Sequence, residues 1–387
     1  MTTQWQTDLG GNVRRVAETL RVYGPRTRAE LVTLTGLSRP TVAAALTELN
    51  DLGLVSEQLG VAPKPVGGRP ASVLRLTRRA GVVVGVDIGR RHVRVVVADL
   101  SHAVLAERAE RTDFDADDRP GDSLELATRL TDATLADVDA TRTDVVAVGL
   151  GIPAPITPDG RISSPDLSPG WAALHPGRAL QARLGPPVHA ENDANLGVLS
   201  ESIWGAGRGC ADLVYVKLGT GVGAGLMIDG KLHRGSAGTA GEVGHVTVDA
   251  RGAVCRCGNR GCLELAAGGR ALLAHARIAH PSLHDLADLI ELAEQGDAGC
   301  RRLITDAGTQ LGFALGGLVN LINPQRIILG GALSAAEPLL RDPLLRGLAE
   351  TAMAVSVNAV EVVRGEFADR ATALGGVAVA LGVNAVA

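Results

Sequence analysis

The sequence predicts an α/β chain in two parts. A small winged helical head occupies residues 1–80, and a two-lobed α/β body occupies 81–387, with lobes of about 81–200 and about 201–387. Three observations predict this. The first eighty residues carry short, well-capped helical segments followed by two strand-like runs. The body opens on a strand–turn–strand unit rich in glycine, and the same layout returns more than a hundred residues later. Charge also divides at that boundary: residues 1–80 hold 11 Arg/Lys against 6 Asp/Glu, and the remainder holds 27 against 36. A basic front on an acidic body fits a head that meets nucleic acid and a body that repels it.

The head reads as follows. In NVRRVAETLRVY (12–23), Val13, Val16, Leu20 and Val22 lie roughly on one face, and Gly24-Pro25 ends the run. Thr27 can cap a short helix carrying Ala29, Leu31, Val32 and Leu34, which Gly36 stops. Ser38 caps a third helix, with Pro40 in its first turn where a missing N–H is harmless; Val42, Leu46 and Leu49 face inward and Gly53 ends it. Helix, tight turn and helix make a helix-turn-helix. LVSEQ (54–58) and SVLRL (72–76) then form a wing around GVAPKPVGGRPA. On this reading Ser38, Arg39 and Thr41 face the major groove, Arg28 meets phosphate, and Lys64 and Arg69 reach the backbone or minor groove from the wing tip.

The body begins with GVVVGVDIGRRHVRVVVADL (81–100), a buried strand, a turn containing Asp87 and Gly89, and a returning strand. LVYVKLGTGVGAGLMIDGKL (213–232) repeats the plan, with Gly219, Gly221, Gly223 and Gly225 in the turn. Such turns let backbone N–H groups approach an anion. Two matching hairpins, one per half, imply a duplicated architecture with a ligand between the lobes. NLINPQRIILGGALS (320–334) adds an apolar strand and the Gly330-Gly331 turn, suited to a nucleotide or to tight packing. Between the hairpins, PVHAENDANLG delivers Glu191, Asn192 and Asp193 at a strand end just before a helix. A carboxylate there can act as a general base toward a hydroxyl, and Asn or Asp there can equally cap the helix.

The totals frame these motifs. Of 387 residues, 46% are hydrophobic but only 2% aromatic, so Ala, Val, Leu and Ile must build the cores. Arginine outnumbers lysine 35 to 3, which fits codon bias. The start, MTTQWQTDLGG, lacks a signal-peptide pattern, and the apolar run at 373–383 is too short to span a bilayer, so a cytoplasmic protein without a membrane partner is expected. In a reducing compartment clustered cysteines favour metal over disulfide. GEVGHVTVDARGAVCRCGNRGCLE (241–264) supplies Cys255, Cys257 and Cys262, with His245 the nearest imidazole. Three sulfurs and one nitrogen make a closed structural Zn²⁺ site. Fixing His245 and Cys262 to one ion also fixes Glu242 and Glu264, whose carboxylates suit a polyhydroxylated ligand. Cys210 and Cys300 stand alone and read as small buried hydrophobes.

These residues resemble the ROK family of repressors, uncharacterised frames and sugar kinases along essentially the whole chain. GEVGH and CRCGNRGCLE are similar to its most specific signature; ENDAN, LGTGVGAG and IILGGALS resemble its catalytic, second phosphate and adenosine motifs. The resemblance implies an actin-like, RNase H-like body with a sugar in the cleft, contacted by Asn192, Asp193, Glu242, His245 and Glu264. It also implies phosphate or nucleotide positions at Asp87, Gly89, Gly219, Thr220, Gly221, Gly330 and Gly331, with Asp193 at the kinase-base position. One departure points away from efficient ATP turnover: the first phosphate loop reads Asp87-Ile88-Gly89-Arg90-Arg91-His92, where kinases resemble DxGGT. Asp166, where many members carry Asn, and Ala154, where glycine is usual, bear instead on which sugar is bound. The expectation is therefore a homodimeric or homotetrameric, non-enzymatic repressor of carbohydrate genes. It binds palindromic double-stranded DNA and a sugar or sugar phosphate. The alternative is an ATP- and Mg²⁺-dependent sugar kinase carrying a DNA-binding head.

Overall fold

A computed structural model describes residues 9–59 and 72–383. The head contains α1 (Gly11–Tyr23), β1 (Arg26–Thr27), α2 (Arg28–Thr35), α3 (Arg39–Asp51), β2 (Val55–Leu59) and β3 (Ser72–Leu76). The local signals act as the sequence suggests. Thr27 and Glu30 form a reciprocal capping box on α2, Gly36 ends it with φ 66°, and the Ser38 side chain accepts from the Thr41 N–H to cap α3. The two-residue β1, too short to read from sequence, joins the wing strands in an antiparallel sheet of order β1-β3-β2.

The body holds two five-stranded sheets. The first contains β4 (Val82–Gly89), β5 (His92–Asp99), β6 (Val104–Arg111), β7 (Val145–Ile152) and β8 (Val188–Asn192), in the order β6-β5-β4-β7-β8. Helix α4 (Pro120–Ala136) covers it, and α5 (Pro169–Ala172) and α6 (Pro176–Leu184) lie in the β7–β8 connection. Helix α7 (Asp193–Trp204) leads to the second sheet: β9 (Leu213–Leu218), β10 (Val222–Ile228), β11 (Lys231–Leu232), β12 (Arg326–Gly330) and β13 (Glu361–Arg364), in the order β11-β10-β9-β12-β13. Each sheet has three antiparallel strands in chain order, then two added in parallel beside the first. The matching hairpins are thus the visible part of a plan repeated strand for strand.

Helices α8 (Leu263–Ala267), α9 (Gly269–Ala279), α10 (Leu286–Glu294), α11 (Ala298–Ile322), α12 (Glu337–Thr351) and α13 (Ala354–Ala359) belong with the second sheet. The last helix, α14 (Ala371–Ala380), does not. It lies on β4 and β7 of the first sheet, so closely that a side chain at Gly85 would meet the Ala373 carbonyl and one at Gly149 would meet the Gly376 carbonyl. Only glycine permits that approach. The same core runs on into the head: Val16, Leu20, Leu46 and Leu74 pack in one buried cluster with Val83, Val96, Leu374, Val377 and Leu381. No helix among the described residues is long and apolar enough to cross a membrane.

Candidate functional site

The cysteine loop is wound by its glycines. Gly258 (φ 89°) and Gly261 (φ 61°) turn the chain, Cys255 N–H donates to the Asn259 carbonyl at 2.7 Å, and single bridges join Val254 to Arg260 and Thr247 to Cys262. His245 ends the 3₁₀ turn Val243–His245. One donor atom from each of His245, Cys255, Cys257 and Cys262 lies within 4.8 Å of all the others. Cys257 Sγ and Cys262 Sγ are 3.6 Å apart, and Cys255 Sγ is 3.7 Å from His245 Nδ1. Tetrahedral ligands around one ion at ordinary Zn–S and Zn–N lengths stand about 3.6–3.8 Å apart, so the donor set fits. A disulfide needs about 2.05 Å, and these thiols are free. Because Nδ1 faces the sulfurs, His245 Nε2 is left toward Glu242, with Oε2 4.0 Å away.

Around this cluster the lobes meet. Burial, reinforced by the Asp193 and Glu264 carboxylates, pushes the Glu242 carboxyl up to about 7. Glu264 Oε2 accepts from the Val222 N–H at 3.3 Å and stands against Gly221, while its Oε1 pairs with Arg256 Nη2 at 3.2 Å. Arg256 lies between the cysteines, and its Nη1 also donates to the Leu167 carbonyl at 3.2 Å. It therefore ties the metal loop to the facing loop that carries exposed Asp166.

The strand-end trio divides its work. Asn192 is the N-cap of α7: its Oδ1 accepts from the Ala194 and Asn195 N–H groups, and its Nδ2 donates to the carbonyl of buried Ala154. The capping alternative thus accounts for Asn192. Glu191 is buried and bridges to Arg234 of the second lobe at 2.5 Å. Asp193 instead reaches the second sheet, where Lys217 Nζ donates to its Oδ2 at 2.8 Å and to Thr372 Oγ1 at 3.0 Å. Lys217 carries no local signal in the sequence, because its strand is otherwise apolar and its partners are far away along the chain.

The two glycine turns differ. In the first, the His92 ring lies against Gly89 and its Nε2 bonds Asp87 Oδ2 at 3.0 Å. Burial would raise the Asp87 carboxyl, but Lys217, His92 and Arg94 more than reverse this and hold it below the usual range. Arg90 is engaged with Asp115 at 3.3 Å, and Arg91 is exposed. In the second turn Gly219 has open space around its Cα and Thr220 is exposed, while Gly221 is covered by Glu264. Gly330 and Gly331 are explained by packing: Gly330 sits against the Tyr215 hydroxyl, and Gly331 (φ 77°) against the Leu218 backbone.

In the head, Arg39 projects, exposed, from the first turn of α3, with exposed Ala43, Ala44 and Thr47 along the same helix. Ser38 Oγ and Thr41 Oγ1 bond each other at 2.8 Å. Arg28 pairs with Glu57 of the wing at 2.9 Å. Lys64 and Arg69 lie outside the described residues.

Two sheets of one plan, linked by the Lys217–Asp193 and Arg234–Glu191 ion pairs and carrying a three-thiol, one-imidazole cluster, define an actin-like α/β protein. The chain belongs to the ROK family, whose model matches residues 83–383. It is 28% identical over 351 residues to the xylose repressor of Bacillus subtilis strain 168, covering 91% of this chain and 90% of the repressor. Among solved structures it resembles a ROK family transcriptional regulator, a homologue of the Escherichia coli Mlc protein (TM-score 0.74, 25% identity, 96% and 95% of the two chains). It also resembles a Streptomyces griseus ROK glucokinase in complex with glucose and AMPPNP (TM-score 0.67, 27% identity, 77% and 99%).

Proposed function

We propose that the chain is a DNA-binding repressor of carbohydrate genes, whose operator binding responds to a sugar or sugar derivative held between the lobes. The match to the xylose repressor carries this reading: it spans more residues than the body alone can supply, so it includes much of the head. The glucokinase, by contrast, matches over 77% of the chain. The head is a winged helix-turn-helix. It presents Ser38, Arg39 and Thr41 to the major groove, and Arg28 exchanges Glu57 for a phosphate on DNA. Its homodimer reads a palindrome with half-sites about one helical turn, or a multiple, apart.

In the body, zinc is the ion the donor set suits, and it fixes the loop from which Glu242, His245 and Glu264 reach the sugar beside Asp193. When bound it supplies folding energy rather than chemistry, because four protein ligands leave no position for water. For the ligand to switch the head, it must bind the released arrangement more tightly than the operator-bound one.

The kinase reading keeps one supporting observation, the open space beside the Gly219 Cα, although the Gly219 N–H already donates to the Gly221 carbonyl. Against it stands His92, whose ring fills the first turn where a phosphate would need close backbone approach. A thermal-shift screen with free and phosphorylated sugars should find a stabilising ligand, and that ligand should release the protein from an operator selected from random DNA. Turnover near 1–100 s⁻¹ with ATP, Mg²⁺ and that sugar would make the chain a kinase instead.

A further inference from the structure

Lysine is scarce in this chain, with three residues against 35 arginines. One of the three, Lys217, stands on β9, whose other residues, Leu213, Val214, Tyr215, Val216 and Leu218, are all buried. Only 18% of its side chain is accessible. Its ammonium donates to Asp193 Oδ2 and Thr372 Oγ1, which belong to α7 and α14. Asp87 on β4 is brought to the same place through Thr372: its register partner Gly151 on β7 packs against the Thr372 methyl, while the Asp87 Oδ2 is held by His92 at 3.0 Å. Asp87 is itself 1% exposed, and its Oδ1 has no hydrogen-bond partner among the described residues. Two shielded carboxylates from different elements, Asp87 fully buried and Asp193 with 13% of its side chain exposed, thus lie about one tethered cation.

Buried carboxylates need compensating charge, and a site with two of them would otherwise recruit a cation from solution. We propose that Lys217 is the built-in counter-cation of the cleft. It occupies the place a divalent ion would take between Asp87 and Asp193, and fixes Asp193 as a hydrogen-bond acceptor for a neutral polyhydroxylated ligand. Lysine suits the position better than arginine, because its charge is compact and needs no planar, two-pronged partner. Lys217 is therefore a positioning residue: it holds the Asp193 carboxylate in place and does not itself need to touch the ligand. The ligand class rests on the sensor reading; the charge assignment does not.

The test uses the full-length, zinc-loaded protein and Mn²⁺ as the probe, followed by its electron paramagnetic resonance signal. Wild type should take up no Mn²⁺ at millimolar concentration. Lys217→Met should bind one Mn²⁺ per chain, and adding Asp87→Asn should abolish that uptake. A merely structural lysine would not produce a metal site on removal. Uptake by wild type equal to that of the variant overturns the proposal, as does no uptake by a folded Lys217→Met protein. If Lys217→Met does not fold, the double variant Lys217→Met/Asp193→Asn decides. Removing both partners should restore a cooperative melt, because the remaining Asp87 carboxylate keeps its own partner, His92; a double variant no better than the single overturns the pairing. Neither arm uses sugar or DNA, so a chain that binds no sugar fails the sensor reading while leaving Lys217 to its own result.

Discussion

Arg39 has no hydrogen-bond or ion-pair partner among the described residues, whereas Ser38 and Thr41, on the same helix start, already bond each other. A cation left free at a helix start, beside the small side chains of Ala43 and Ala44, can approach base edges without first breaking a contact. Arg39→Ala should therefore weaken operator binding by about 1–3 kcal/mol while leaving sugar affinity unchanged. Titration of both ligands checks this, and unchanged operator affinity would refute the placement of α3 in the groove. In the cleft, Glu242 is the carboxyl held near 7 by burial and by its acidic neighbours. Glu242→Ala should lower sugar affinity about tenfold to a hundredfold, the worth of one strong hydrogen-bonding group. Metal content should stay near one ion per chain, because the cluster's donors come from other residues; loss of both would make Glu242 structural.

At the scale of elements, the cysteine loop is the one that brings four candidate metal donors together. Strand pairing within it is limited to two single bridges; Val243 and Val248 anchor its first half on the core, while Val254 between the ligands is exposed. Cys257→Ser should lose the ion and the sugar response together, measured by metal analysis and by sugar-induced thermal shift; retained response without metal would refute the bracing role.

This loop was also the most legible part of the sequence, since cysteine spacing and glycine turns specify it locally. The head helices were legible for the same reason, each carrying its own cap and stop. Long-range placement was not. α14 reads as apolar on every side, which says that it is buried but not that it returns to the first sheet. Lys217 was hidden because its partners lie 24 and 155 residues away in sequence. Asn192 and Asp193 are adjacent and equally polar, and only the three-dimensional path separates the cap from the residue that reaches the second sheet.

At the scale of the whole molecule, the contact between head and body is polar as well as apolar. His102, in the turn after β5, donates from Nε2 to the Arg21 carbonyl at 2.8 Å and meets the Trp204 ring edge-on at 5.6 Å. Burial holds its imidazole below the usual range, aided by Arg26 and only partly offset by the Arg21 carbonyl and Asp99. The folded chain thus prefers neutral His102. Its contribution is fully present above the unfolded value of about 6.5 and is lost as pH falls from there through the lower folded value. The melting temperature should drop between pH 7.5 and 5.5 more steeply in wild type than in His102→Gln. Parallel profiles would mean that this contact carries no pH dependence.

The core that runs from α1 through β4 to α14 has a consequence for how such a chain can be rebuilt. Cutting after residue 80 would strip water-excluding cover from Val83, Val96 and Leu374 on one fragment and from Val16 and Leu20 on the other. Neither piece is a self-sufficient module, so a chimera that grafts a foreign head onto this body must also import the surface of α14 that receives it.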